Sequence, residues 1–157
     1  MIVATETLGY DPLDIAEYII KYENAHDHCI NNLKLQKILY FLQAEFLVTT
    51  GKTLFKEHLI AWDWGPVVMS VYNNYKIYAG ASIYVNPNSY RNEYIDPAHQ
   101  EVIDVMLEHI RPYSAWQLTQ ICHNQTPFKN ARARWNNVIS LCELRDFFKE
   151  NEVPDAT

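Results

Sequence analysis

Cys122, His123 and Asn124 stand side by side and offer the residue types of a nucleophile, a base and an orienting amide. Consecutive residues at a helix end point in different directions, and catalytic triads are assembled from distant segments. The trio therefore reads as a buried thiol followed by a helix-terminal His, and no catalytic residue is assigned. His26, His28 and Cys29 form a second cluster, but neither group has the paired ligand spacing of a structural zinc site. No Gly-rich phosphate loop and no G-x-S-x-G is present. The expectation is no metal, no cofactor and no enzyme.

Lys129, Arg132 and Arg134 make a basic cluster. Lys129 and Arg132, three apart, share a helix face, and Arg134 lies elsewhere on the turn. Three cations on a chain of net charge −6 are a weak nucleic-acid footprint, so no nucleic acid is expected. If the Arg132/Arg134 patch binds anything, an acidic protein partner suits it as well. Glu93, Asp96, Glu101, Asp104 and Glu108 form an acidic run, read as a solvated face.

Trp62 and Trp64 differ in kind. One residue apart on an extended piece, they point to one side, because the strand period is two. Gly65-Pro66 follows at once and fixes the turn into the next element. A rigid aromatic corner can wall a core, or it can serve as a preorganised interaction surface.

The elements that would position these residues are mostly helices. Asp11-Pro12 opens one, with Ile15, Ile19 and Tyr22 on one face. Asn31 or Asn32 caps a second, whose Leu35, Ile38, Leu39, Leu42, Phe46 and Leu47 recur at a helical period. Gly51 is its stop. Lys56 to Trp62 reads as a strand, Gly65-Pro66 as the start of a third helix, and Ser82 to Val85 as a candidate strand partner. Asp96-Pro97, Ser114 to Gln117, Thr126-Pro127 and Ser140 to Glu143 open four more helices. The fold expected is mainly α, at the margin of α+β. It is a bundle of about six helices with a small two- or three-stranded antiparallel sheet. Residues 1–10 read as a loose lead-in, 11–150 as one domain and 151–157 as a tail.

Composition narrows the function classes. Apolar residues at 48% and charged residues at 20% suit a globular chain with a real core. Eleven Tyr and four Trp exceed what a core needs and suit an interface. Three Cys without a C-x-x-C pair suit reduced thiols, and no stretch reaches the roughly 18 apolar residues of a membrane span. The expected location is the cytoplasm.

One block carries a resemblance. Leu35-Gln36-Lys37-Ile38-Leu39-Tyr40-Phe41 is followed by Gln43-Ala44, then Gly51 to Phe55, then Ala61 to Val67 with Val71-Tyr72. Ser114, Leu118, His123 and Pro127 complete the pattern. It resembles the Panacea domain family of SocA-like and phage-associated GepA-like antitoxin proteins. Phe128 stands where that family usually has Trp, and Thr53 where Pro is common. The resemblance implies an antitoxin that neutralises a cognate protein toxin by direct binding. In one branch it implies an adaptor that hands the toxin to a AAA+ protease. The residues expected to carry binding are Trp62, Trp64, Gly65, Pro66, Tyr72, Trp116, Arg132 and Arg134.

Overall fold

A computed structural model of the chain describes residues 5–88 and 94–152. The first helix, α1 (Pro12–Ala25), begins where Asp11 accepts a hydrogen bond from the Leu13 amide. The second, α2 (Asn32–Thr50), is capped by Asn31, which accepts from the Lys34 amide. Every residue from Leu35 to Ala44 is buried, so α2 is wrapped on all sides and forms the axis of the core. Gly51 ends it at φ 74°, a left-handed geometry that favours glycine.

A two-stranded antiparallel hairpin follows. Its strands are β1 (Leu59–Trp62) and β2 (Gly65–Val68), with Leu59 opposite Val68 and Trp62 opposite Gly65. Asp63 and Trp64 are the two-residue turn. This corrects the reading of Gly65-Pro66 as a helix start, because the third helix, α3 (Met69–Tyr75), begins four residues later. Val67 and Val68 are β-branched and buried, and the Val68 amide donates to Gln36 on α2, which holds the segment extended. A 3₁₀ turn, Lys76–Tyr78, follows.

The strand partner expected at Ser82–Val85 is also corrected. The Ile83 amide donates instead to the Ile30 carbonyl, at 2.8 Å. The hairpin gains a third chain segment at 137–139, which Asn137 enters at φ 56°. Ile60 bridges Val138, the Ala61 amide donates to Asn137 O at 2.8 Å, and the Ile139 amide donates to Leu59 O at 2.9 Å.

The remaining helices are α4 (Pro97–Ile110), α5 (Ala115–His123), α6 (Thr126–Arg132) and α7 (Leu141–Glu150). Ser114 and Gln117 form the full capping box expected of α5. Ser140 caps α7, while the Glu143 carboxylate turns to Arg134. The fold is mainly α, with seven α-helices and this small hairpin among the described residues. Helices α1, α3, α4, α5 and α7 and strand β2 all pack on α2.

Two surface expectations change. Glu6 to Tyr10, expected as a loose lead-in, lies along residues 53–54. The Thr53 amide donates to Glu6 O at 2.9 Å and the Leu8 amide to Thr53 O at 2.7 Å. Proline at position 53 would remove that first bond, which gives Thr53 a structural purpose. The acidic run is only partly solvated. Asp104 and Glu108 accept from the hydroxyls of Tyr18 and Tyr22, at 2.6 and 3.3 Å, and so join α4 to α1. Burial, with Asp104 beside it, raises the Tyr18 phenol well above its ordinary value. Glu93 and most of the 151–157 tail lie outside the described residues.

Candidate functional site

Three polar residues of α2 line one region: Asn32 and Gln36, one turn apart, and Lys37 next to Gln36. The first two form a hydrogen-bonded ladder. Asn32 donates to Tyr72 O at 3.2 Å, Gln36 donates to Asn32 Oδ1 at 2.9 Å, and the Val68 amide donates to Gln36 Oε1 at 2.8 Å. The ladder fixes β2 and α3 against α2, and between them lies a surface cavity of about 320 Å³.

Trp62, Trp64, Tyr72, Val67, Leu33 and Lys37 line it. Trp62 meets Tyr72 edge to face with ring centroids 5.0 Å apart. Trp64, in the hairpin turn, is 64% exposed. The two Trp therefore border one cavity, although only Trp62 lies in a strand.

Gly65 is required twice over at this corner. Its φ is 104°, which side-chain-bearing residues rarely adopt, and a Cβ would lie 2.7 Å from Lys37 Cε and 3.1 Å from Nζ. The lysine stem thus runs directly beneath the hairpin turn. Lys37 is 0% exposed, and its Nζ has no hydrogen-bond partner among the described residues. Burial pushes its ammonium down to about 8.

The other expected residues do not join this cavity. Pro66 is buried inside β2 opposite Ala61. Trp116 is exposed on the first turn of α5 and lines none of the cavity. Arg132 grips the hairpin turn from its other flank, donating to Ala61 O and to the Asp63 carboxylate. Arg134 donates to Val138 O and to Glu143, which ties the 133–139 loop to α7. The two arginines are therefore separate braces and do not make one basic patch. Trp135, which the sequence reading did not single out, is 94% exposed.

Cys122 is fully buried, and desolvation pushes its thiol up to about 12, so it stays protonated at neutral pH. His123 lies flat against Phe128 with ring centroids 4.8 Å apart. Among the described residues no three His, Cys, Asp or Glu side chains gather as a metal site, and no helix is long and apolar enough to cross a membrane.

Sequence reasoning missed Lys37 as a site residue. The available signal was a cation inside the apolar run of α2, one residue after an amide that also had to be buried. By sequence alone Asn32 reads as a cap and Gln36 as a motif residue.

Comparison with known proteins bears on the same segment. The sequence model of the family described as Antitoxin SocA-like, Panacea domain, matches residues 35–129, more than half of the chain. Antitoxin SocA of Caulobacter vibrioides (strain NA1000 / CB15N) is 40% identical over 62 residues, which cover 40% of this chain and 33% of that protein. The match thus spans about a third of that relative's length. No solved structure matches. The family match takes in Lys37, the hairpin, Tyr72 and the start of α6, and the chain belongs to the Antitoxin SocA-like, Panacea domain family.

Proposed function

We propose that this chain is an antitoxin that acts in the cytoplasm and neutralises a cognate protein toxin by binding it directly, through the face built around Trp62, Trp64 and Tyr72. The family supports the antitoxin role. The observation that carries the binding face is the exposed Trp64 standing over a preformed cavity. Its walls are held by hydrogen bonds from α2, so little ordering remains to be done when a partner arrives. Trp and Tyr at such a place supply large contact area with few rotatable bonds.

The test is co-expression of the neighbouring open reading frame in a bacterial host, with and without this chain, reading growth and co-purification. Toxicity relieved by the chain, with a stable complex recovered, supports direct binding. Trp64→Ala should keep the fold, because the ring is mostly in solvent, and should weaken relief of toxicity at least tenfold in complex affinity. Intact relief by a folded Trp64→Ala variant removes this face from the reading. Relief without a complex, with a shortened toxin half-life, replaces direct binding by delivery to a AAA+ protease.

A further inference from the structure

The cavity is unusual for this chain in its charge. The protein carries a net charge of −6, yet no Asp or Glu lines the cavity, while Lys37 sits at its wall and Lys76 at its margin. Its other walls are largely apolar and aromatic. Lys37 is the residue that makes least sense as structure. A buried ammonium costs several kcal/mol unless something pairs with it. Burial has already moved its pKa to about 8, still on the protonated side of neutral pH. Gln36, Asn32 and Gln43 on the same helix are all hydrogen-bonded, so the fold satisfies buried polar groups here as a rule. Gly65, which leaves room for the lysine stem, keeps the cation close beneath the tryptophan corner.

We infer that this cavity receives an acidic side chain, Asp or Glu, from the bound partner protein. Its carboxylate pairs with Lys37 Nζ, and an adjacent apolar side chain lies between Trp62, Trp64 and Tyr72. The inference rests on the partner-binding reading above and names what that face recognises. A side-chain carboxylate fits better than a chain terminus. C-terminal carboxylates are captured by nests of backbone amides, and here the Val68 amide is already given to Gln36. The flexible four-carbon stem of lysine lets its ammonium follow an incoming carboxylate. Desolvated by the aromatic walls, the pair would be far stronger than a surface salt bridge.

The experiment uses the intact chain and two capped dipeptides, acetyl-Leu-Glu-amide and acetyl-Leu-Gln-amide. Indole N–H signals of Trp62 and Trp64, assigned with single Trp→Phe variants, report occupancy by NMR. The Glu peptide should shift both signals with a dissociation constant on the order of millimolar, as suits a ligand of this size. The Gln peptide should bind at least tenfold more weakly. Lys37→Met, checked for folding by urea denaturation, should treat the two peptides alike. No saturable shift with the Glu peptide, equal shifts from both, or discrimination that survives Lys37→Met overturns the inference. So does an equal response to inorganic phosphate, which would make this a general anion site. The same Lys37→Met variant should lose at least tenfold in affinity for the product of the neighbouring reading frame. Unchanged toxin affinity sinks the inference and leaves direct binding standing. Peptide discrimination in a wild-type chain that binds no toxin sinks direct binding alone.

Discussion

Gln43 and Lys37 lie less than two turns apart on the same buried helix, and the fold treats them in opposite ways. Gln43 accepts from the amides of Leu54 and Phe55, at 2.7 and 3.4 Å, and donates to Phe55 O at 2.9 Å. It stands in for a missing strand and clamps the segment after Gly51 to the core. Lys37 reaches the hairpin and finds no hydrogen-bond partner there among the described residues. One buried polar group is fully used inside the chain, and the other is held without a counterion. A residue that makes the free protein less stable than a methionine would is expected where binding demands it.

The sharpest way to break this contrast is at its structural end. Gln43→Leu leaves two buried amides and one buried carbonyl without partners, at about 1–3 kcal/mol each before relaxation. A net loss of about 3–5 kcal/mol is expected, which for a chain of this size lowers the melting temperature by roughly 10 °C. A loss below about 1 kcal/mol would mean that water replaces Gln43 at no cost, and the clamp would carry no weight.

Lys37→Met should change stability in the other direction. Filling the same volume with an apolar side chain removes the desolvation of an unpaired ammonium. A gain of roughly 1–3 kcal/mol is expected, read as a higher urea midpoint with unchanged slope. A destabilised Lys37→Met variant would show that the ammonium is satisfied in the free chain.

Titration sharpens the point further. The Lys37 ammonium lies at about 8 in the folded chain and at 10.5 when unfolded. Between these values the unfolded chain binds more protons, so this group makes stability rise with pH, by about 1 kcal/mol from pH 8 to 9. Cys122 works against it. Its thiol moves from 9.0 to about 12 on folding, so the unfolded chain loses its proton first and stability falls above pH 9. From these two groups the wild-type chain should therefore gain roughly half a kcal/mol from pH 8 to 9, stay nearly level from 9 to 10 where they cancel, and lose stability above about pH 10. Lys37→Met should lose stability over the whole range. Parallel profiles for the two chains would place the Lys37 titration elsewhere.

What could be read from the sequence followed the range of the forces involved. The starts of α1, α4 and α5 were legible because Asp11, Asp96 and Ser114 act on amides within three residues. Gly65-Pro66 was misread because that pair opens helices and hairpins alike, and the bond that decides, Gln36 to Val68, spans 32 residues. The pairing of Trp62 with Trp64 is expected from strand spacing, yet Trp64 lies in the turn and not in the strand. Tyr72, 10 residues after Trp62, enters only through the family resemblance. The separation of Arg132 from Arg134 was not, since their acidic partners Asp63 and Glu143 lie on opposite sides of them in the chain. Lys37 could be read as a motif letter, but its burial under Gly65 belongs to tertiary structure.

The smallest effect on stability tests whether the cavity or the hairpin turn matters more for binding. Arg132→Ala removes a largely exposed ion pair with Asp63 and a 3.2 Å hydrogen bond to Ala61 O. Exposed pairs contribute about 0–1 kcal/mol, so the melting temperature should fall by no more than about 4 °C. The residue nonetheless fixes Asp63, and Asp63 precedes Trp64 in the turn. Loosening that turn spreads the tryptophan over more orientations and costs binding a little ordering entropy, a twofold to fivefold weakening of the toxin complex. Lys37→Met, in contrast, should weaken the complex at least tenfold while stabilising the free chain. If the arginine variant weakens binding as much as the lysine variant, orientation of the turn governs recognition, and the buried cation is only its support. If the two differ as expected, the charge beneath the hairpin turn is what the partner reads.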